Sequence, residues 1–244
     1  MNKYFLGIEI EINHHCNLSC TYCPNSNTER INKGQMTIEQ FTIIMNQLKD
    51  INYEGRINYH FYNEPLLHPQ LEEFVTLSKM ILPRTRSEIF TNGMFLNDEK
   101  YFALRAAGVD KFTVTQHKGI NKIVFDETFN RLSAEEKSHV KYYDYSQLIL
   151  SNRGGLVKFG KVLTEPLQRT CLIPTCSLVV TVNGNLITCY EDYNEKNIMG
   201  NIFHEHIKDL WAKPEYVSFR EDLKKGFRYK HDICKSCNNL QVVQ

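Results

Sequence analysis

Between residues 5 and 116 the chain repeats one pattern, a short β-branched run followed by a longer segment of helical apolar spacing. The runs FLGIEIEI (5–12), RINYHFY (56–62), SEIFTNG (87–93) and KFTVTQ (111–116) read as strands, because β-branched and aromatic side chains fit a pleated, half-buried surface. The segments TIEQFTIIMNQLKD (37–50), PQLEEFVTLSKMI (69–81) and NDEKYFALRAAG (97–108) read as helices. Thr37 and Gln40 have the spacing of a capping box, and Gly108 stands where a helix would stop. Strands that alternate with helices pair in parallel, since each crossover helix returns the chain to the same edge of the sheet. HVKYYDY (139–145) and QLILS (147–151) read as further strands. The fold class is therefore α/β, with too few units for a closed eight-fold barrel. A partial (β/α) barrel and an open doubly wound sheet both fit.

The pattern changes after SNRGGLVKFG (151–160), a Gly-rich polar link. SLVVTVNGNLITCYED (177–192) reads as a β-hairpin turning at Asn183-Gly184, and residues 204–226 read as helix interrupted at Pro214. A boundary is expected near 155, with a larger domain over 1–155 and a smaller one over 156–244; 244 residues suit that division. Net charge is +1, and the one basic cluster, LKKGFRYKH (223–231), reads as a solvated helix face. Nucleic acid is not an expected partner. Nothing approaches the roughly 20 apolar residues of a membrane helix. The first apolar stretch carries Glu9 and Glu11, so it does not read as a signal peptide. The expected location is the cytoplasm, where eight cysteines point to metal or redox chemistry and not to disulfides.

Three of those cysteines, Cys16, Cys20 and Cys23, fall in the loop after the first strand. That places them at the C-terminal edge of a parallel sheet, where α/β folds carry their sites. Three thiolates can hold three irons of a [4Fe–4S] cluster and leave the fourth iron open to a ligand. A closed zinc site needs a fourth protein ligand, which His14 or His15 offers. The other five cysteines all lie beyond residue 170, and a hairpin thiolate with a distant CxxC pair can close either a zinc site or a second cluster.

CNLSCTYC (16–23), with Tyr22 before its last cysteine, resembles the CxxxCxxC signature of the radical S-adenosylmethionine (SAM) enzymes. FYNEP (61–65) is similar to the family's motif for the SAM amino group, with Glu64 matching and Asn63 standing where Gly is usual. Asn tolerates left-handed φ, so the turn is expected to survive. TNG (91–93) closes the third strand as the family often does. The resemblance implies a partial (β/α) barrel of about six parallel strands. It also implies a [4Fe–4S] cluster on Cys16, Cys20 and Cys23, and SAM bound by the open iron with Tyr22, Asn63, Glu64 and Gln116. Cys171-x12-Gly184-x4-Cys189 resembles the twitch extension, a short form of the SPASM domain built from a hairpin and a helix. This implies an auxiliary [4Fe–4S] cluster on Cys171, Cys189, Cys234 and Cys237, fully ligated and suited to passing electrons. Cys176 leaves only seven residues before Gly184 and does not fit the pattern.

IEIEIN, HFYNEPLL, VTQHKG, LSNRGG, VTVNGN, EDYN, MGNI and CKSCNN extend the likeness over nearly the whole chain, to twitch-bearing radical SAM dehydrogenases of aminocyclitol antibiotic biosynthesis. The implied reaction oxidises a secondary alcohol of an aminocyclitol or sugar to a ketone. A 5′-deoxyadenosyl radical takes the carbinol hydrogen, the hydroxyl loses a proton, and the auxiliary cluster accepts an electron. Arg153 falls near the substrate hydroxyl in this likeness, suited to orientation and charge stabilisation, while Tyr62, His117 and Glu191 are expected to bind substrate. A flavodoxin- or ferredoxin-type protein is the expected electron donor. Cys176 departs from the pattern: as a hydrogen donor it would make the chain an epimerase of a sugar or cyclitol. A peptide-modifying twitch enzyme and a zinc-stapled binding module without catalysis are also compatible with the cysteine spacing.

Overall fold

The structure, a computed structural model, describes residues 4–159 and 162–240. Its first half follows the repeated pattern. Strand β1 (Gly7–Ile10) leads to α1 (Ile38–Asp50), β2 (Arg56–Asn58) to α2 (Leu71–Ile81), and β3 (Arg86–Thr91) to α3 (Asp98–Ala107). Strand β4 (Lys111–Gln116) is followed by α4 (Val124–Arg131), α5 (Ala134–Ser138) and β5 (Val140–Asp144). Beyond the Gly-rich link come α6 (Ile173–Cys176), β6 (Ser177–Val180), β7 (Asn185–Ile187) and β8 (Ile198–Asn201). Helices α7 (Ile207–Ala212), α8 (Pro214–Lys224) and α9 (Asp232–Lys235) are the last elements among the described residues.

The strands form one sheet in the order β5-β4-β3-β2-β1-β6-β7-β8. β1 to β6 all run parallel, giving the six expected strands, and β7 and β8 are antiparallel additions. The hairpin therefore continues the sheet, because β6 pairs with β1 from Gly7↔Ser177 to Ile10↔Val180. The expected division near 155 separates the two cysteine groups without separating two sheets.

Alternation along the strands sorts the two faces. Ile8, Ile10, Ile57, Ile89, Phe112 and Val114 are fully buried in the core cluster that also holds Phe41, Ile44 and Leu48 of α1 and Phe74 of α2. Each such side chain contributes roughly 1.5–3 kcal/mol on burial. Helix α1 begins at the expected capping box: Gln40 N–H donates to Thr37 Oγ1 at 3.3 Å and Thr37 N–H to Gln40 Oε1 at 2.9 Å. Helix α3 ends at Gly108, whose φ is +114°. The opposite face of the strands carries Glu9, Arg56, Phe90, Thr113 and Tyr143, which line a single cavity. Five strands facing one cavity require the sheet to curl, and the result is a partial (β/α) barrel.

Three expectations change. QLILS is not a strand: Tyr145–Gln147 form a 3-10 turn, and residues 148–151 have no regular structure. The ladder of β2 stops at Asn58, and residues 59–64 leave it to build the site. Helices α4 and α5 fill the crossover between β4 and β5, where the sequence pattern predicts no helix. No helix among the described residues is long and apolar enough to cross a membrane.

Candidate active site

The cavity encloses ≈ 660 Å³ at the C-terminal ends of the parallel strands. Cys16, Cys20 and Cys23 line it together, carried by the loop after β1. Asparagines anchor that loop. Asn13 accepts from His15 N–H at 2.9 Å and donates to the Glu64 carbonyl at 3.2 Å, while Glu64 N–H donates to the His15 carbonyl at 2.7 Å. Asn92 Nδ2 donates to Asn17 Oδ1 at 2.8 Å, joining the turn after β3 to the cysteine loop. These partners were not singled out from the sequence, since nothing local marks them.

Glu64 is 2% exposed. Its Oε1 accepts from Thr91 Oγ1 at 2.8 Å and from Leu66 N–H at 3.1 Å, and its Oε2 from Asn92 N–H at 2.8 Å. Burial pushes its pKa up to about 7 against those bonds, so a cationic amine arriving in the cavity would restore the carboxylate. Asn63 also lines the cavity, but not in the expected conformation: among the described non-glycine residues only Asn52, Arg153 and Glu195 have positive φ. Its side chain shapes the turn instead, accepting from Phe61 N–H at 2.8 Å and donating to the Tyr59 carbonyl at 3.3 Å.

Tyr22 and His117 meet on the cavity wall, with 2.6 Å between Tyr22 Oη and His117 Nδ1. Gln116 does not reach the cavity. Its Nε2 donates to the carbonyls of Ile120 and Asn121, both at 2.9 Å, so its side chain braces the turn that presents His117. Tyr62 is fixed by donating to the Tyr190 carbonyl at 2.8 Å, edge-on to the Tyr193 ring. The Arg153 guanidinium lies 5.8 Å from the centre of the Tyr62 ring, and its Nε has no partner. Burial weakens the hold of Arg153 on its proton, but Tyr62 and Glu191 beside it outweigh that and raise its pKa.

The second cysteine group lines a separate, smaller pocket. Cys171, Cys189, Cys234 and Cys237 all face it, among Ile173 and Leu223. Glu191 faces this pocket and not the main cavity, and its Oε1 lies 3.8 Å from Arg153 Nη1. The Arg153–Glu191 pair thus spans the wall between the two cysteine sites. Cys176 lines neither pocket. It closes α6 at the start of β6, away from the strand ends that carry the site, which removes the geometry of a hydrogen donor to a substrate in the cavity.

All eight cysteines are free thiols. Burial pushes Cys16 and Cys237 up to about 11 and Cys234 up to about 12, so a cationic centre is what would draw them to thiolates. Among the described residues no three His, Cys, Asp or Glu side chains gather tightly enough to hold a single metal ion. Zinc requires sulfur ligands near 2.3 Å from one centre, whereas a four-iron cluster spreads its thiolates over separate irons. His14, a candidate fourth zinc ligand, is engaged through Nδ1 with Gly34 N–H at 2.9 Å. Both thiol sets fit clusters better than zinc. Sequence reasoning missed the polar floor of the cavity, Glu9, Arg56 and His60, where Glu9 accepts from Asn58 at 2.8 Å. The signal was present as charged residues alternating with isoleucine along β1 and β2.

Residues 10–132 match the radical SAM superfamily and residues 171–238 match the SPASM iron-sulfur cluster-binding domain. The S-adenosyl-L-methionine-dependent 2-deoxy-scyllo-inosamine dehydrogenase of Niallia circulans is 43% identical over 242 residues, covering 99% of this chain and 96% of that protein. The crystal structure of BtrN in complex with AdoMet and 2-DOIA superposes with a TM-score of 0.93 at 42% identity, over 99% of this chain and 96% of that one. The selenomethionine form of BtrN in an open conformation gives 0.79 at 39% identity over the same shares. With its three-thiol loop at the barrel rim and a second thiol set behind the wall, this chain belongs to the radical SAM superfamily, enzymes that work with SAM and a [4Fe–4S] cluster, and carries a SPASM-type auxiliary-cluster region.

Proposed function

We propose that the chain is a SAM-dependent dehydrogenase that oxidises a secondary alcohol of an aminocyclitol to a ketone, the 2-deoxy-scyllo-inosamine reaction for which its relative is named. The observation that carries this reading is the Arg153–Glu191 pair, which sets a cation and an anion on the wall between the two cysteine sites. An alcohol bound against that wall would lie between the two thiol sets, one to supply the radical and the other to accept an electron. Cys16, Cys20 and Cys23 would hold the first cluster, and Cys171, Cys189, Cys234 and Cys237 the auxiliary one. When bound, SAM and the clusters supply a carbon radical that removes the carbinol hydrogen and a one-electron acceptor for what remains.

The chain's own residues do the rest. Glu64 would take the SAM amino group, with Tyr22 and Asn63 shaping that end of the cavity. Arg153 stays cationic throughout, so its guanidinium on the cavity wall can orient the reacting hydroxyl and stabilise the negative charge left as the hydroxyl proton passes to solvent. Tyr62 holds the guanidinium in place through its ring, His117 offers a ring edge to substrate hydroxyls, and Glu191, behind the wall, anchors the guanidinium from the other side. Reducing the first cluster requires an outside electron, for which a flavodoxin- or ferredoxin-type donor belongs to the same reading.

Two measurements test it. Anaerobically reconstituted protein given SAM, reductant and 2-deoxy-scyllo-inosamine in D2O should form the ketone with one 5′-deoxyadenosine per product. An epimer carrying solvent deuterium would overturn the dehydrogenase reading. Glu64→Gln should weaken SAM binding by roughly 10–100-fold, the loss of a charge-assisted hydrogen bond, with iron content unchanged; equilibrium dialysis with labelled SAM reads this directly.

A further inference from the structure

The turn that presents Arg153 is built against the segment that carries Cys234 and Cys237. Asn152 N–H donates to Asn238 Oδ1 at 2.7 Å, and Asn238 N–H donates to Asn152 Oδ1 at 3.2 Å. Asn152 Nδ2 donates to the Ser236 carbonyl at 2.6 Å, and Ser236 Oγ donates to the Gly154 carbonyl at 2.8 Å. Asn238 Nδ2 reaches the Phe159 carbonyl at 2.8 Å. Two loops some eighty residues apart in sequence are thus laced side chain to backbone in both directions.

The turn needs that support. Arg153, Gly154 and Gly155 have φ of +50°, +63° and +94°, three successive left-handed residues. A Cβ on Gly155 would lie 2.8 Å from Ser236 Oγ, and one on Gly154 would lie 3.1 Å from the Glu191 carbonyl oxygen. Just before the turn, Ser151 Oγ donates to Glu191 Oε1 at 2.7 Å. The other side of the contact is no more self-sufficient. Helix α9, which carries Cys234, has four residues, too few to hold a helical shape alone.

We propose that Asn152 and Asn238 are positioning residues: they lock the Arg153 turn to the Cys234–Cys237 segment, so that seating the auxiliary cluster and setting the guanidinium are one event. By reciprocity, a ligand held by Arg153 must then stabilise the auxiliary cluster. The role of Arg153 toward substrate rests on the dehydrogenase reading, whereas the coupling of the two segments does not.

The test uses anaerobically reconstituted holoenzyme and the variants Asn152→Ala, Asn238→Ala and Asn238→Asp, the last of which keeps the acceptor for Asn152 N–H. Gly155 and Val157 N–H both bond to the Asn152 carbonyl, at 2.9 and 3.1 Å, and report on the turn without touching Asn238. In the alanine variants their hydrogen exchange should rise about tenfold, and EDTA should strip the auxiliary cluster several-fold faster, with SAM affinity unchanged. Asn238→Asp, which keeps that acceptor but turns an oxygen toward the Phe159 carbonyl, should fall between the alanine variants and wild type. Unchanged exchange and stripping in the alanine variants would overturn the proposal. Should those variants fail to fold or to take up iron, Cys234→Ser/Cys237→Ser tests the same link from the other side: exchange at Gly155 and Val157 must rise there, and no rise refutes it. With 2-deoxy-scyllo-inosamine as probe, the alanine variants should lower kcat/KM about tenfold. Altered exchange in a protein whose wild type does not turn over that probe would sink the dehydrogenase reading and leave the coupling standing.

Discussion

Cys234→Ser/Cys237→Ser is expected to retain about four irons per chain in place of about eight, to keep cleaving SAM, and to lose ketone formation by at least about 100-fold. The asymmetry follows from the architecture. The loop of Cys16, Cys20 and Cys23 is anchored by Asn13, Asn92 and the Glu64 backbone, none of which touches the second pocket. SAM cleavage therefore has what it needs without the distal cysteines. The oxidation does not, because a substrate radical that cannot pass on its second electron returns to the alcohol or is trapped. Cys20→Ser should abolish SAM cleavage and ketone formation together. Iron and sulfide analysis with chromatography of 5′-deoxyadenosine and product separates the two outcomes. If the distal double variant still made ketone at the wild-type rate, an electron-accepting role for the second site would be excluded.

Arg30→Met is expected to cost about 3–5 kcal/mol of stability, the usual consequence of leaving one member of a buried ion pair alone. Arg30 Nη2 lies 2.6 Å from both carboxylate oxygens of Glu11, which is fully buried, and its Nη1 donates to the Tyr193 carbonyl at 2.8 Å. The guanidinium is also held 5.2 Å from the Phe61 ring centre and 4.8 Å from that of Tyr193. Glu11 accepts in turn from Val182 N–H at 3.1 Å, so the pair ties the first cysteine loop to the β6–β7 turn. The double variant Arg30→Met/Glu11→Gln should recover part of the loss, since Glu11 is then no longer a stranded charge, while buried Glu195, 3.8 Å from Arg30, still loses its cation. Denaturant melts of the metal-free chain give the comparison, and equal stabilities of single and double variants would show that the pair is not the source.

The βαβ order was legible because periodicity acts over ten residues or more, and α1 begins where Thr37 indicates and α3 stops where Gly108 indicates. Strand ends were less legible. The aromatic run Tyr59–Tyr62 favours a strand, but Tyr59 is anchored outside the ladder by Ser78 and Ser87, at 2.8 and 3.0 Å, and the chain then turns into the site. Helix α5 went unread although its cap has Ser-x-x-Glu spacing, with Glu136 N–H bonding to Ser133 Oγ at 3.2 Å. The grouping of the thiols was readable from their spacing together with the family resemblance. What spacing cannot show is which way a side chain faces: Gln116 and His117 are adjacent, yet only His117 lines the cavity. Contacts such as Asn152 with Asn238, separated by 86 positions, leave no local signature at all.

The parallel ladder between β1 and β6 has a consequence for how such proteins can be assembled. A redox module joined only by a linker can be exchanged, duplicated or lost as a bead on a string. Here the strand opening the auxiliary region also covers the flank of the strand leading to the SAM site, so deleting it would bare a row of backbone amides and carbonyls on β1. The second cluster region is fixed in place by the first module's own backbone, and a variant that dispensed with it would have to find another strand to stand there.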